Sequence, residues 1–402
     1  MKVCMTHYAF YPTTGGVESH LLDLCGELAK QGHEVHALVG TYKGRPQVEE
    51  MEGFTIHRHD LMHPEIVRER KKKEGYAADI VWPELRDEIQ MFYRRFVQQH
   101  DIDVVHAHNF HHFLPEHGLA LTELYEEGLP TFLTVHEVWS EFICEDLLNR
   151  TKWNRVITVS KHVGEELIQQ APKIKDNLTL IYHGIDTDLF SPKNRTDKWA
   201  KKLHLDGRPV VIHPARMLPW KGVIYTVEAL DLLRREFPDI ALIITDTDDI
   251  VDWIDELRGY KKEVLRAIRE RGLTDHVITQ SFPYMDLPGV YNHCDVVVYP
   301  TIGEEPFGLV PVEAMACARP VVVAKSGGLV ESVLDGKTGF IVEKRDPKAL
   351  AEKIALLLRD PKLAQTMGKA GRAHAVAHFT RQRMAAQVAE LYQKAMIAAS
   401  AA

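Results

Sequence analysis

Glu305 and Glu313 close the run EPFGLVPVE, which sets two carboxylates and a glycine between an apolar stretch and a helical one. The stretch before it, DVVVYP at 295–300, reads as a buried parallel strand, and a helix is expected to begin near Gly308. In an open α/β sheet ligands gather at the carboxyl ends of strands, where a new helix offers unpaired N–H groups and the positive end of its dipole. Carboxylates accept hydrogen bonds from hydroxyls, and a helix start suits an anion. A sugar nucleotide carries both kinds of group, so this run reads as the donor site of a sugar-transferring enzyme.

Two further loops have the same strand-to-helix placement. Arg216 and Lys221 lie in HPARMLPWKG, where two cations could neutralise the charge that builds on a departing diphosphate. Arginine offers a planar fork and lysine a point charge; the alternative is an exposed loop with solvated charges. Gly15 and Gly16 separate the first strand from the first helix, and paired glycines permit positive φ and close approach of a phosphate, or simply a tight turn. The three-glycine dinucleotide fingerprint is missing, and VGT at 39–41 stands where an acidic ribose partner would be, which disfavours a dehydrogenase.

The elements that must position these loops come from alternating apolar runs and helical patterns. Short β-branched runs at 3–6, 34–39, 104–106, 131–135, 156–159 and 178–182 are expected strands of a first domain. After a polar stretch at 186–194 the alternation restarts at 209–212 and continues through 240–244, 277–278, 296–299, 320–324 and 340–342. The fold expected is α/β, with two Rossmann-like domains facing each other across a cleft. The first spans 1–188 and the second 189–379, and a last helix, 380–402, packs back on the first domain. A chain of 402 residues suits two domains. A net charge of −8 gives no basic field for nucleic acid. Five cysteines without metal-type spacing, at 4, 25, 144, 294 and 317, fit reduced core thiols and a cytoplasmic location. No secretion signal or membrane-spanning run is expected.

The Glu305–Glu313 block, the Arg216/Lys221 loop, the GGVESH turn at 15–20 and YHGIDTDLF at 182–190 together resemble the family 4 glycosyltransferases, retaining enzymes of the two-Rossmann-domain GT-B type that use nucleotide sugars. The resemblance spans nearly the whole chain. It implies that Glu313 accepts from the ribose hydroxyls, that Glu305 holds donor-sugar hydroxyls, and that backbone N–H groups of Phe307, Gly308 and Leu309 support sugar and phosphate. Arg216 and Lys221 would bind the diphosphate, with Gly15 and Gly16 closing on it, and His108 would project near the reacting carbon, His106 being packed into its strand. The implied donor is a UDP- or GDP-sugar, with no metal or other cofactor required. The implied acceptor is a glycan, a lipid-linked molecule or a small molecule. The chain departs from the family's usual pattern at ITDTDD, 244–249, at TQSFP, 279–283, and at His183, and the first two leave the base open.

Other residues invite rival readings. Asp246 and Asp248 resemble an acidic metal pair but suit a solvated turn, since two cations already serve the phosphates. The histidines at 106, 108, 111, 112 and 117 could suggest zinc, although spacing alone does not make them converge. RERKKK at 68–73 is a solvated helix face or a contact for anionic lipid, hence a possible peripheral membrane association. A sugar-nucleotide epimerase or a phosphorylase on the same scaffold is the alternative activity.

Overall fold

A computed structural model describes residues 1–13, 15–77, 80–109, 115–138, 148–245 and 256–401. The chain divides into one unit of Met1–Gly184 with Arg381–Ala402 and a second of Ile185–Thr380.

The second unit is built on strands β9 to β14: Val210–His213, Ala241–Thr245, Val277–Gln280, Val296–Tyr299, Val321–Ala324 and Gly339–Val342. Runs such as VVIH, VVVY and VVVA are buried along their whole length, as strands covered on both faces must be. They pair in parallel in the order β11-β10-β9-β12-β13-β14. In this Rossmann order the chain runs outward from β9 to one edge, then returns to β12 on β9's other side. The loops after β9 and β12 therefore diverge at the switch point, where doubly wound sheets form their crevice. Those loops carry Arg216, Lys221 and Glu305. Val223, Val227, Leu230 and Ile354 fill the core against β10 and β12.

The first unit follows the same plan with strands β1 to β8: Lys2–Thr6, Glu34–Gly40, Val48–Met51, Phe54–His59, Val104–His108, Thr131–Val135, Arg155–Thr158 and Leu178–Leu180. Their order is β3-β4-β2-β1-β5-β6-β7-β8, all parallel except the antiparallel edge strand β3. The β3–β4 hairpin is not anticipated by the sequence reading, because VEEM has two adjacent glutamates at its centre and so lacks the apolar/polar alternation of a half-buried strand. Its turn uses positive φ at Glu52 and Gly53, the conformation a two-residue hairpin of this hand requires.

The last helix, Arg381–Ala401, belongs to this unit. Met384, Val388 and Tyr392 recur every fourth residue and pack with Leu21, Leu24, Cys25 and Leu28 of the helix Gly16–Lys30. Arg381 secures the seam with ion pairs to Asp23 at 3.0 Å and Glu27 at 2.9 Å.

The basic run at 68–73 is less exposed than its composition suggests. Lys71 is buried and paired with Glu116 at 2.6 Å, and Arg70 is paired with Glu88 at 2.7 Å. Lys72 and Lys73 remain exposed. Among the described residues no helix is long and apolar enough to cross a membrane.

Candidate functional site

The loop after β9 is tied to the loop after β12 by its backbone. The Trp220 carbonyl accepts from the amides of Ile302 at 2.8 Å and Gly303 at 3.2 Å, and from the Thr301 hydroxyl at 2.7 Å. Gly222 follows at φ 74°, and a Cβ there would lie 2.0 Å from the Pro300 carbonyl oxygen. Only glycine meets both demands.

This contact sets Lys221 over the end of β12. Its ammonium donates to Glu305 Oε2 at 2.8 Å and to the Tyr299 hydroxyl at 2.6 Å, and that hydroxyl donates to the same Oε2 at 3.0 Å. Burial works against the ammonium, but the attraction of Tyr299 and Glu305 outweighs it and holds Lys221 above the usual lysine range. Burial, with Glu305 nearby, likewise keeps Tyr299 a neutral phenol. Glu305 Oε1 has no partner among the described residues, and at least one ammonium N–H of Lys221 has none either. The three groups thus form a partly buried ion pair with one acceptor and one charged donor in reserve.

The backbone under Glu305 is fixed from the loop after β13. Its amide donates to Ser326 Oγ at 3.0 Å, its carbonyl accepts from the Gly328 amide at 2.7 Å, and Ser326 Oγ donates to the Gly303 carbonyl at 2.6 Å. A Cβ at Gly328 would lie 2.3 Å from the Pro306 carbonyl oxygen, so the two loops touch backbone to backbone.

The helix Leu309–Ala316 begins directly after Gly308, which stands at φ 88°. The amides of this first turn have no intrahelical acceptor. The Phe307 side chain turns inward against Phe379, ring centroids 5.4 Å apart. Glu313 comes one turn later and is buried, its Oε2 accepting from the Tyr291 hydroxyl at 3.2 Å. Arg216 is exposed and forms no ion pair among the described residues. Of the four charged residues singled out by sequence, Lys221 and Glu305 therefore touch. Glu313 lies deeper on the following helix, and Arg216 projects from the Lys221 loop. Tyr299 is the member that sequence reading missed; its place as last residue of β12 was the available signal.

Gly15 and Gly16 do not use the positive φ expected of them. Gly15 is extended at φ −166° as the helix cap, and Gly16 is the first helical residue. Extended backbone suits any residue, so the pair's distinguishing feature is its missing side chains rather than unusual torsions.

His108 ends β5 and is fully buried, as is His106. His106 is held by the Tyr392 hydroxyl at 2.6 Å and the Thr134 hydroxyl at 2.7 Å. His108 instead enters a run of imidazoles at the carboxyl ends of β5, β6 and β8. His108 Nδ1 lies 2.9 Å from His136 Nε2, His136 Nδ1 lies 3.4 Å from His183 Nε2, and His183 Nδ1 lies 2.7 Å from His20 Nδ1. Burial pushes His183 and His106 down to about 3, and His7, bonded to the His108 carbonyl, down to about 4. Burial and neighbouring imidazoles hold His20, His108 and His136 well below the usual range. All are neutral at pH 7, so each ring has one donor and one acceptor and the run must be ordered head to tail. That His20, His136 and His183 meet His108 escaped sequence reading, because four separate segments bring them together.

Of the five histidines weighed for zinc, only His106, His108 and His117 lie among the described residues. His106 is engaged as described, and His117 is bonded to the Tyr93 hydroxyl at 2.7 Å and near the Leu61 carbonyl at 3.1 Å. His111, His112, Asp246 and Asp248 lie outside the described residues. A surface hollow lined by Tyr125, Trp153, Arg155 and Asn177 sits at the amino ends of β7 and β8, away from all these groups.

Residues 194–374 match the family described as Glycosyl transferases group 1, and residues 14–189 match Glycosyltransferase Family 4. The GDP-mannose-dependent alpha-(1-6)-phosphatidylinositol monomannoside mannosyltransferase of Mycolicibacterium smegmatis is 29% identical, over 95% of this chain and 96% of that one. The alpha-maltose-1-phosphate synthase of Mycobacterium tuberculosis is 30% identical, over 72% and 79%. Among solved structures, the sucrose-phosphate synthase of Thermosynechococcus elongatus superposes with a TM-score of 0.78 at 22% identity, covering 99% of each chain. Anabaena HepE in complex with UDP-glucose gives 0.74 at 22% identity, covering 98% of this chain and 100% of that one.

Proposed function

This chain belongs to the family 4 glycosyltransferases, and on that premise we propose that it moves a hexosyl group from a nucleotide diphosphate sugar to an acceptor hydroxyl with retention at the anomeric carbon. One observation carries the reading: Lys221, Tyr299 and Glu305 meet at the switch point of the second sheet, with one carboxylate oxygen and one ammonium proton left over. Glu305 Oε1 accepts from a hydroxyl of the donor sugar, and Lys221 faces the diphosphate. Glu313, pinned by Tyr291, accepts from the ribose hydroxyls. Amides of Phe307, Gly308 and Leu309 support the sugar and phosphate at the helix start, and Arg216 closes on the phosphates from the exposed side of its loop.

In the reaction the bond from the anomeric carbon to the phosphate oxygen breaks and one to the acceptor oxygen forms on the same face. The leaving phosphate takes the acceptor proton. Charge accumulates on the diphosphate as that bond breaks, so a cation already fixed in place lowers the barrier without reorganising. Arg216 and Lys221 supply that charge, and no divalent ion or other cofactor is assigned to the step. His108, a buried neutral imidazole of the first unit, is given a role near the reacting carbon on the family resemblance alone.

A UDP- or GDP-sugar is the donor, a choice supported by the UDP-glucose complex of HepE and the GDP-mannose dependence of the mycobacterial relative. The acceptor is a glycan, a lipid-linked molecule or a small molecule; phosphatidylinositol monomannoside and D-inositol 3-phosphate, named for two relatives, lead the candidates. The free buried thiols of Cys4, Cys25, Cys294 and Cys317 support action in the cytoplasm. Lys72 and Lys73 are the remaining basis for peripheral contact with lipid.

The deciding experiment is thermal unfolding with UDP, GDP, ADP and their common sugars, followed by NMR of the product. A nucleotide at about a hundred times its Kd adds about 2.7 kcal/mol. One nucleotide class should raise the midpoint, and its sugar should appear on the acceptor in the donor's own anomeric configuration. No shift with any nucleotide defeats the reading. Sugar conversion without an acceptor indicates the epimerase, and release of sugar phosphate indicates the phosphorylase.

A further inference from the structure

Three histidines of the first unit, outside the glycosyl-transfer site, bring their rings together against one helix end. His36 is on β2, His57 on the neighbouring β4, and His100 is the last residue of the helix Pro83–His100. Their ring centroids form a near-equilateral triangle of 5.2, 4.8 and 4.8 Å. One ligating nitrogen from each lies within 4.8 Å of the other two. Phe96, one turn before His100, presents its edge to His57 and His36 and forms the floor. His36 is buried, whereas His57 and His100 are half-buried and reachable from solvent.

The spacing is that of imidazoles around a single ion. Metal–nitrogen bonds of about 2.0–2.1 Å in tetrahedral geometry place ligand nitrogens about 3.4 Å apart and ring centroids about 5 Å apart. His36 Nδ1 and His57 Nε2 are 3.0 Å apart, so they need open only slightly, and His100 closes by a side-chain rotation at a helix end.

The tautomer is already chosen. Glu34 Oε1 lies 3.1 Å from His36 Nε2 and holds the proton there, leaving the Nδ1 lone pair aimed at His57. A carboxylate behind a ligating histidine is the arrangement that orients the ring and raises its basicity in metal sites. The negative end of the helix dipole at His100 also favours a cation, as do the carboxylates of Glu34 and Asp101. Lys2 opposes them, 3.9 Å from Glu34 and 3.3 Å from Asp101.

We propose that His36, His57 and His100 bind one divalent transition-metal ion of the zinc class, with water in the fourth position, clipping the end of this helix to β2 and β4. On binding, His57 moves its proton from Nε2 to Nδ1 and Nε2 becomes the ligand, so no net proton is lost. Neutral imidazoles select zinc, cobalt, nickel or copper over magnesium and calcium.

The test uses the full chain without a histidine tag, stripped with chelator and dialysed against zinc or cobalt. Metal analysis should find one ion per chain, and zinc should raise the wild-type unfolding midpoint. The variant H57Q/H100Q should lose affinity at least about a hundredfold and show no zinc-dependent shift. Glu34→Gln, a change at an exposed residue, should lose about tenfold. A wild type that takes up no ion overturns the proposal. So does H57Q/H100Q holding zinc as tightly as wild type, which would place the ion elsewhere, His20, His108 and His136 being the other histidine cluster among the described residues. If the double variant fails to fold, unchanged affinity in Glu34→Gln overturns it.

Discussion

Lys221 Nζ stands 2.8 Å from Glu305 Oε2, although 84 residues separate them in the chain. The Trp220 carbonyl and the absent side chain of Gly222 bring their loops into contact, and Tyr299 caps the pair from below. The ion pair neutralises two groups that would be costly to hold partly buried and alone. It also leaves Glu305 Oε1 facing outward.

Lys221→Ala should therefore act on both catalysis and stability. Loss of the charge opposite the leaving diphosphate is expected to lower kcat about a hundredfold or more. Leaving Glu305 without its partner should cost about 1–3 kcal/mol in urea unfolding. Arg216→Ala should match the first effect without the second, because Arg216 is exposed and unpaired among the described residues. Wild-type turnover in either variant would remove that residue from the diphosphate.

Glu313→Gln is expected to weaken nucleotide binding by about 1–3 kcal/mol, since a ribose hydroxyl would lose a charged acceptor. Tyr291→Phe should weaken it less, by about 0.5–1.5 kcal/mol, because the carboxylate stays but loses one internal hydrogen bond. Titration calorimetry with the nucleotide separates the two. Equal heats for wild type and Glu313→Gln would take Glu313 out of the site.

Acid should destabilise the first unit earlier than its carboxylates would predict. An unfolded histidine titrates near pH 6.5, whereas buried His7, His106 and His183 are pushed down to about 4, 3 and 3. Above about pH 6.5 both states are neutral and stability is flat in these groups. Below it the unfolded chain gains protons that the folded chain refuses, so each ring removes about 1.4 kcal/mol per pH unit, down to its folded pKa. Unfolding midpoints should hold between about pH 7.5 and 6.5 and fall clearly by about pH 5.5. His106→Gln should make that fall shallower. A midpoint unchanged across the lower interval would show that these rings are not held neutral.

Much of this was legible in the residues because it is local. All six strands of the second sheet were expected near their observed places, the four inner ones because both-face burial leaves continuous apolar runs. Lys221 and Glu305 could be singled out because each follows such a run. What escaped was decided across the chain. The His20, His136 and His183 contacts come from separate segments. Lys71 reads as a solvated charge until Glu116 is seen 2.6 Å away. The β3–β4 hairpin escaped because VEEM is a four-residue strand with two charges at its centre and FTIHRH has only Phe54 and Ile56 as apolar residues.

Gly222 and Gly16, one in each unit, should respond to alanine in opposite ways. Gly222 is at φ 74°, and its Cβ would meet the Pro300 carbonyl oxygen at 2.0 Å. The conformation alone costs an L-residue about 1–2 kcal/mol, and the clash adds to it by prising the Lys221 loop from β12. Gly222→Ala should therefore lower both the urea midpoint and turnover. Gly16 is helical with nothing within 4 Å of its ideal Cβ. Gly16→Ala should stabilise the protein by somewhat less than the about 0.5–1 kcal/mol that alanine gains over glycine in a helix interior, because Gly16 is the first helical residue. If Gly16 admits a diphosphate, that more stable variant should turn over more slowly, with a raised KM for the donor. A stabilised Gly16→Ala with wild-type kinetics would make the glycine pair a helix start and nothing more.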